Sequence, residues 1–145
     1  MQPVLLVIIV GLLGGIAVGA QAPILNMISQ RLGSMESVFI VHFGGAVLSG
    51  LILLAQRGGA LAQWQTLPWF TLLAGAFGLV VVSAINFTIP RLGATTTTAL
   101  IVAGQLVIGV LIDHFGILNV TVRPLDLGRI VGIIVLFAGV YLLIR

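Results

Sequence analysis

Six polar side chains fall inside stretches that are otherwise almost purely apolar: Gln21, Asn26, His42, Asn86, Thr98 and Gln105. Amide, imidazole and hydroxyl groups offer hydrogen-bond donors and acceptors without a fixed charge, which suits recognition of a neutral, zwitterionic or amphipathic solute. The competing role for the same side chains is structural, as hydrogen bonds that glue neighbouring helices together in lipid. Gly15, Gly19, Asn26 and Gln30 recur at helical spacing, while Gln21 points to a different face. Pro23 lies between them, and a proline inside a helix removes a backbone hydrogen bond, so a kink near Gly19 is expected. The freed carbonyls could hold solute, or the kink could serve packing alone. His42 shares a small polar face with Gly45 and Ser49. Imidazole changes charge near neutral pH, which would let His42 couple solute to protons; the alternative is a neutral ring bonded to a neighbouring helix. Ser83 and Asn86 stand near the end of another run, and Thr98, Gln105 and Gly109 share a stripe on the next.

The acids are as informative by position. Glu36, Asp113 and Asp126 are the only carboxylate side chains, and each falls at the end of an apolar run. A cation/proton antiporter normally holds a carboxylate at membrane depth, so facilitated diffusion, or coupling through a group such as His42, fits better. Thr95 to Thr98 form a hydroxyl run at a helix start, where one side chain can cap and the others can line a polar entrance or bond back to their own helix. Asp113 and His114 are adjacent, point apart on a helix and have no third ligand nearby, so neither a metal nor a catalytic role is expected. With no cysteine, the chain has no disulfide framework, thiolate metal site or Cys nucleophile. Neither an enzyme nor a cofactor-binding protein is indicated.

The elements that must carry these groups follow from composition. The 145 residues are 60% hydrophobic and 6% charged, with a mean hydropathy of +1.31, too apolar to cover a soluble globule. The basic balance comes from six scattered arginines at the ends of apolar runs, which suits lipid phosphates and argues against nucleic acid. Ala20-Gln21-Ala22 imitates a signal-peptide cleavage site, but no basic segment precedes the first run and that run is too long, so it is read as a span. Apolar runs and polar breaks predict an all-α, polytopic membrane protein with one transmembrane domain. Its five helices are placed at Pro3 to Gln30, Ser37 to Ala55, Leu67 to Phe87, Ala94 to Asp113 and Leu127 to Ile144. Pro68 is expected in the first turn of the third helix between interfacial Trp64 and Trp69, and Pro90 to Gly93 is expected to end that helix.

Arginine should orient these spans, because cytoplasmic loops carry the basic excess. It does not: Arg57, Arg123 and Arg129 fall on one side, and Arg31, Arg91 and Arg145 on the other. Either other details fix the topology or the chain inserts both ways and forms an antiparallel homodimer. The phrase Asn-x₄-Arg-Leu-Gly also occurs twice, at Asn26 to Gly33 and Asn86 to Gly93, followed by Ser37 with Thr97 and Gly44 with Gly104. Helices one and two thus resemble helices three and four, as two helical-hairpin repeats. Gly11, Gly15 and Gly19 form a small-residue face, and Gly128, Gly132 and Gly139 form another on the fifth helix, which has no polar core and suits dimer assembly.

In order along the chain, the glycine-rich opening helix leads to Gln21, Pro23 and Asn26, the hairpin Arg91-Leu92-Gly93-Ala94 follows, and five spans fill the full length. This arrangement resembles the short five-helix YdcZ-like transporters of the drug/metabolite transporter superfamily. The resemblance implies four helices around a substrate cavity, a fifth used for assembly, and function as a dimer, with itself or with a homologous chain, in the bacterial inner membrane. The expected partners are a small-molecule substrate and the lipid bilayer. The rival reading is a non-transporting membrane scaffold or accessory subunit.

Overall fold

A computed structural model describes residues 4–145, and every regular element among them is helical. Helix α1 spans Val4–Leu32 and α2 spans Ser34–Ala55. Two 3-10 turns follow at Leu61–Thr66 and Trp69–Leu73, then α3 at Ala74–Phe115, a short turn at Ile117–Asn119, and α4 at Leu127–Ile144. α3 is long enough for two crossings of a hydrocarbon core about 30 Å thick. Gly93, at φ 77° and ψ 167°, divides it into limbs 74–92 and 94–115. Five helical stretches result, each about the length of one span. Their long side chains are largely exposed, including Leu12, Ile16, Phe39, Phe77 and Leu142, as expected where the surrounding solvent is lipid.

Several boundaries differ from the sequence expectation. The third helix does not begin at Leu67: Leu67 and Pro68 are extended, Pro68 caps a 3-10 turn, and the α-helix starts at Ala74. The residue before a proline is pushed out of the α region, which separates the turn at Trp64 from that at Trp69. Nor does that helix end before Pro90. Helical backbone runs through Pro90 to Leu92, and the break comes at Gly93. The polar turn expected over Arg31 to Glu36 shrinks to the single residue Gly33, at φ 118° and ψ 161°, with α2 starting at Ser34. These backbone angles are essentially restricted to glycine, because a Cβ would clash. The two Arg-Leu-Gly phrases therefore make the same local joint, a one-residue break between helices. α1 is continuous through Pro23.

The chain forms two compact units, the first ending at Pro90 and the second covering Arg91–Arg145. In the first, α1 packs on α2, and α2 runs antiparallel to the first limb of α3, with Ser34 opposite Asn86 and His42 opposite Gly78. The second is a hairpin with a polar clasp at each end. At one end Thr96 Oγ1 donates to the Leu143 carbonyl (3.2 Å). At the other, the Arg129 guanidinium pairs with Asp113 (3.4 Å) and also donates to the Arg123 carbonyl (3.0 Å). The connecting segment is tied back by Arg123 N–H to the Asp113 carbonyl (2.8 Å) and by Leu125 N–H to His114 Nδ1 (3.1 Å). Asp126 caps α4 through Arg129 N–H (2.8 Å). The connection over residues 116–126 is thus a folded clasp.

Candidate functional site

Buried positions in the first unit lie on matching stripes. On α1 they are Ala22 and Leu25, with Asn26 and Ser29 half-buried beside them; on α3 they are Val82, Ile85, Asn86 and Ile89. Each set follows the i, i+3, i+4, i+7 spacing of one helical face. The interval that separates the two Arg-Leu-Gly phrases also pairs Ala22 with Val82, Leu25 with Ile85, Asn26 with Asn86 and Ser37 with Thr97. Sequence similarity and burial repeat together.

The first turn of α2 ties three helices into a polar junction. Ser37, fully buried, donates to the Leu25 carbonyl of α1 at 3.0 Å. One turn earlier, Ser34 receives Asn86 Nδ2 of α3 at 3.2 Å on its hydroxyl and 3.5 Å on its carbonyl. A backbone carbonyl can only accept, so the nitrogen of the Asn86 amide faces Ser34 and its oxygen faces away. Asn86 is only 6% exposed. Asn86 of α3 and the Leu25 carbonyl of α1, next to Asn26 in sequence, therefore both meet the first turn of α2.

Buried side-chain oxygens are left over in this unit. Asn26 Oδ1, Ser83 Oγ and Asn86 Oδ1 are shielded and have no hydrogen-bond partner among the described residues. An unmet buried acceptor costs about 1–3 kcal/mol, so such groups are rarely left unpaired without another role. The helix backbone adds to the surplus. Pro90 has no N–H to return to the Asn86 carbonyl four residues earlier, and Pro23 stands in the same relation to Gly19.

The other sequence-predicted residues are placed differently. His42 lies two turns further along α2; its Nδ1 sits 2.8 Å from the Val38 carbonyl, which requires a proton on that nitrogen. Its Nε2 edge rests on Gly78 of α3, in a notch that a Cβ would fill. An open groove of about 390 Å³ beside it is lined by Met35, Val38, Phe39, His42, Gly75 and Leu79. Gln21 is exposed on α1, away from the buried stripe. In the second unit Thr98 is half-buried and Gln105 exposed, whereas the buried hydroxyls are those of Thr96 and Thr97. Thr97 Oγ1 has no partner among the described residues. Sequence reasoning passed over Ser34 and Gly78. Ser34 could have been found from its place just after the Gly33 break, where a helix-start serine faces the neighbouring helices. Gly78 carries no such signal, because one glycine among many does not show which neighbour needs the room.

The chain matches, over residues 6–142, the family described as "Putative inner membrane exporter, YdcZ". It is 32% identical over 137 residues to "Inner membrane protein YdcZ" of Escherichia coli (strain K12), an alignment covering 90% of this chain and 91% of that protein. No solved structure matches it with significance. With its five apolar helical stretches, the chain belongs to the YdcZ family and is a multi-pass protein of the inner membrane.

Proposed function

We propose that this membrane transporter moves a small neutral, zwitterionic or amphipathic metabolite by alternating access, working as a dimer. The observation that carries the reading is the pair of amide oxygens, Asn26 Oδ1 on α1 and Asn86 Oδ1 on α3, both buried without partners among the described residues. Polar groups used only as glue between helices would use both ends of their amides, and these do not. Family membership supports export as the direction. The matching buried stripes on α1 and on the first limb of α3 support a site assembled within the first unit.

Dimer formation is supported by the glycine faces. Nothing stands near the Cβ positions of Gly11, Gly15 and Gly19 on α1, or of Gly132 and Gly139 on α4, among the described residues. Close approach of a second helix would use those faces. The test is flux in liposomes containing the purified protein: saturable movement of polar metabolites is expected, reduced by Asn26→Ala and Asn86→Ala. Absence of flux across a broad panel would favour the scaffold or accessory-subunit reading.

A further inference from the structure

We infer that His42 is a proton-operated latch between α2 and the first limb of α3, closed while its ring is neutral and released when the ring gains a second proton. The two ring nitrogens have different duties. Nδ1 stands 2.8 Å from the Val38 carbonyl one turn back on α2, and a carbonyl only accepts, so the single proton of the neutral ring sits on Nδ1. Nε2 is then a bare acceptor. From the point where a Cβ on Gly78 would stand, Nε2 is the nearest ring atom, and Cε1 and Cδ2, which flank it, lie further off at nearly equal distances of 3.4 and 3.5 Å. The ring therefore meets α3 head-on, with the Nε2 lone pair directed at the Gly78 Cα–H.

That contact reverses its sign with one proton. In the neutral ring a lone pair faces a weakly polar C–H, the pairing that Cα–H groups make with acceptors at helix–helix contacts. In the charged ring an N–H lies along the same line and meets the C–H, donor against donor. His42 has no hydrogen bond among the described residues besides that to Val38, so the new N–H finds no acceptor in the notch, and an unmet donor costs more when it is charged. The ring must swing out, and the open groove of about 390 Å³ beside it, lined by Met35, Val38, Phe39, Gly75 and Leu79, gives it room. No fixed charge holds the cation where it is. The other charged side chains on the neighbouring elements are Arg31 in the last turn of α1, Glu36 on α2, Arg57 just beyond α2, and Arg91 at the end of limb 74–92. Glu36, the one carboxylate among them, stands six residues before His42 and folds over Gly33, about 9 Å away in helix rise alone.

The two helices stay joined elsewhere. Asn86 bonds Ser34 at 3.2 Å, eight residues from Gly78 and from His42 respectively, which is about 12 Å of helix rise. Releasing the latch thus opens the pair at the His42–Gly78 end, with the Ser34–Asn86 end as its pivot. The device needs no solute and goes beyond the transport reading without resting on it.

The chain has no cysteine and two histidines, His42 and His114, so one introduced label pair and one imidazole spectrum suffice to test it. Spin labels on Ala46→Cys of α2 and Ala74→Cys of α3, opposite each other in the register that pairs His42 with Gly78, report the separation of the helices by pulsed electron resonance in bicelles. ¹⁵N-histidine spectra of the same protein report the tautomer and the titration of each ring. The expected result is an Nδ1–H tautomer for His42 at about pH 8, and a label distance that lengthens toward about pH 5 with the midpoint of His42. His42→Gln, which gains no such proton, should hold one distance throughout; Gly78→Ala should show the long distance throughout; His114→Gln should respond as the native chain does. The latch is refuted by an Nε2–H tautomer, by a ring that stays neutral over the whole range, by titration of His42 with no change in distance, or by an equal pH response in His42→Gln. If that variant fails to fold, the two native curves, ring titration and distance, still decide by whether they coincide. Flux in liposomes, present or absent, alters none of these outcomes.

Discussion

Replacing Asn26 with leucine should make the protein more stable and less able to bind, a pairing of signs that a structural asparagine would not give. Its Oδ1 is buried without a partner, and no hydrogen bond from the side chain to another described residue is formed. Removing an unmet acceptor returns about 1–3 kcal/mol, and leucine is the better helix former by a few tenths of a kcal/mol. Transfer of apolar area adds little, because acyl chains are as apolar as leucine. The expected gain is therefore about 1–3 kcal/mol, toward the lower end because membrane-embedded reference states also find hydrogen-bond partners. Asn86→Leu should gain less, since it also gives up the Nδ2 contacts with Ser34, worth about 0.6 kcal/mol by the average for such bonds. Reversible unfolding in bicelles by added SDS measures both variants, and flux in liposomes follows function. A loss of stability of 1 kcal/mol or more in Asn26→Leu would refute the reasoning, because it would mean that the amide is glue.

The remaining predictions concern the scaffold. Ala at Gly33 or Gly93 should each cost about 1–3 kcal/mol from the backbone angles alone, and Glu36→Ala should rescue only part of the Gly33→Ala loss, since the carboxylate adds a clash there and nothing crowds Gly93; thermal melts in detergent measure each. Gly78→Ala should destabilise by pressing on His42 Nε2, and adding His42→Ala should recover most of that, a double-mutant coupling of about 0.5–3 kcal/mol; additive losses would show that the two do not touch. Arg129→Gln should cost no more than about 1 kcal/mol, because the pair with Asp113 is partly exposed, yet it should speed amide exchange at Arg123, whose N–H is held by the Asp113 carbonyl.

What could be read in advance follows from which forces act without tertiary information. Long apolar runs commit a chain to helices in lipid because every backbone polar group must be satisfied within the segment, so α2, α4 and the C-terminal end of α1 were legible to within a few residues, while the start placed at Pro3 lies outside the described residues. Leu67 to Leu73 was not, because apolar composition is the same for an α-helix and for the 3-10 turn that Trp69–Leu73 forms. The site was legible by residue type and not by direction. Asn86 and Gln105 are both amides in apolar spans, yet the first is buried and the second exposed. Asn86 also bonds Ser34, which has no distinguishing mark in the sequence except its neighbour Gly33.

That neighbour connects the repeat to the site. Arg-Leu-Gly was visible as a phrase, but its meaning is conformational: Gly33 and Gly93 both take positive-φ, extended-ψ angles open to glycine, and each is followed within four residues by a buried hydroxyl, Ser37 or Thr97. A one-residue break lets the next helix begin at once, so the hydroxyls of its first turn stand beside the last turns of the helix before it. In the first unit this places Ser37 where its O–H goes to the Leu25 carbonyl and Ser34 where it accepts the Asn86 N–H₂, while the amide oxygens stay unmet. A longer, flexible turn would let those donors rotate toward the free oxygens and close the site on itself. Inserting two glycines after Gly33 should therefore reduce solute flux in liposomes even where helix content by circular dichroism is unchanged; unaltered flux in that variant would show that the tight joint does not keep the amide oxygens open.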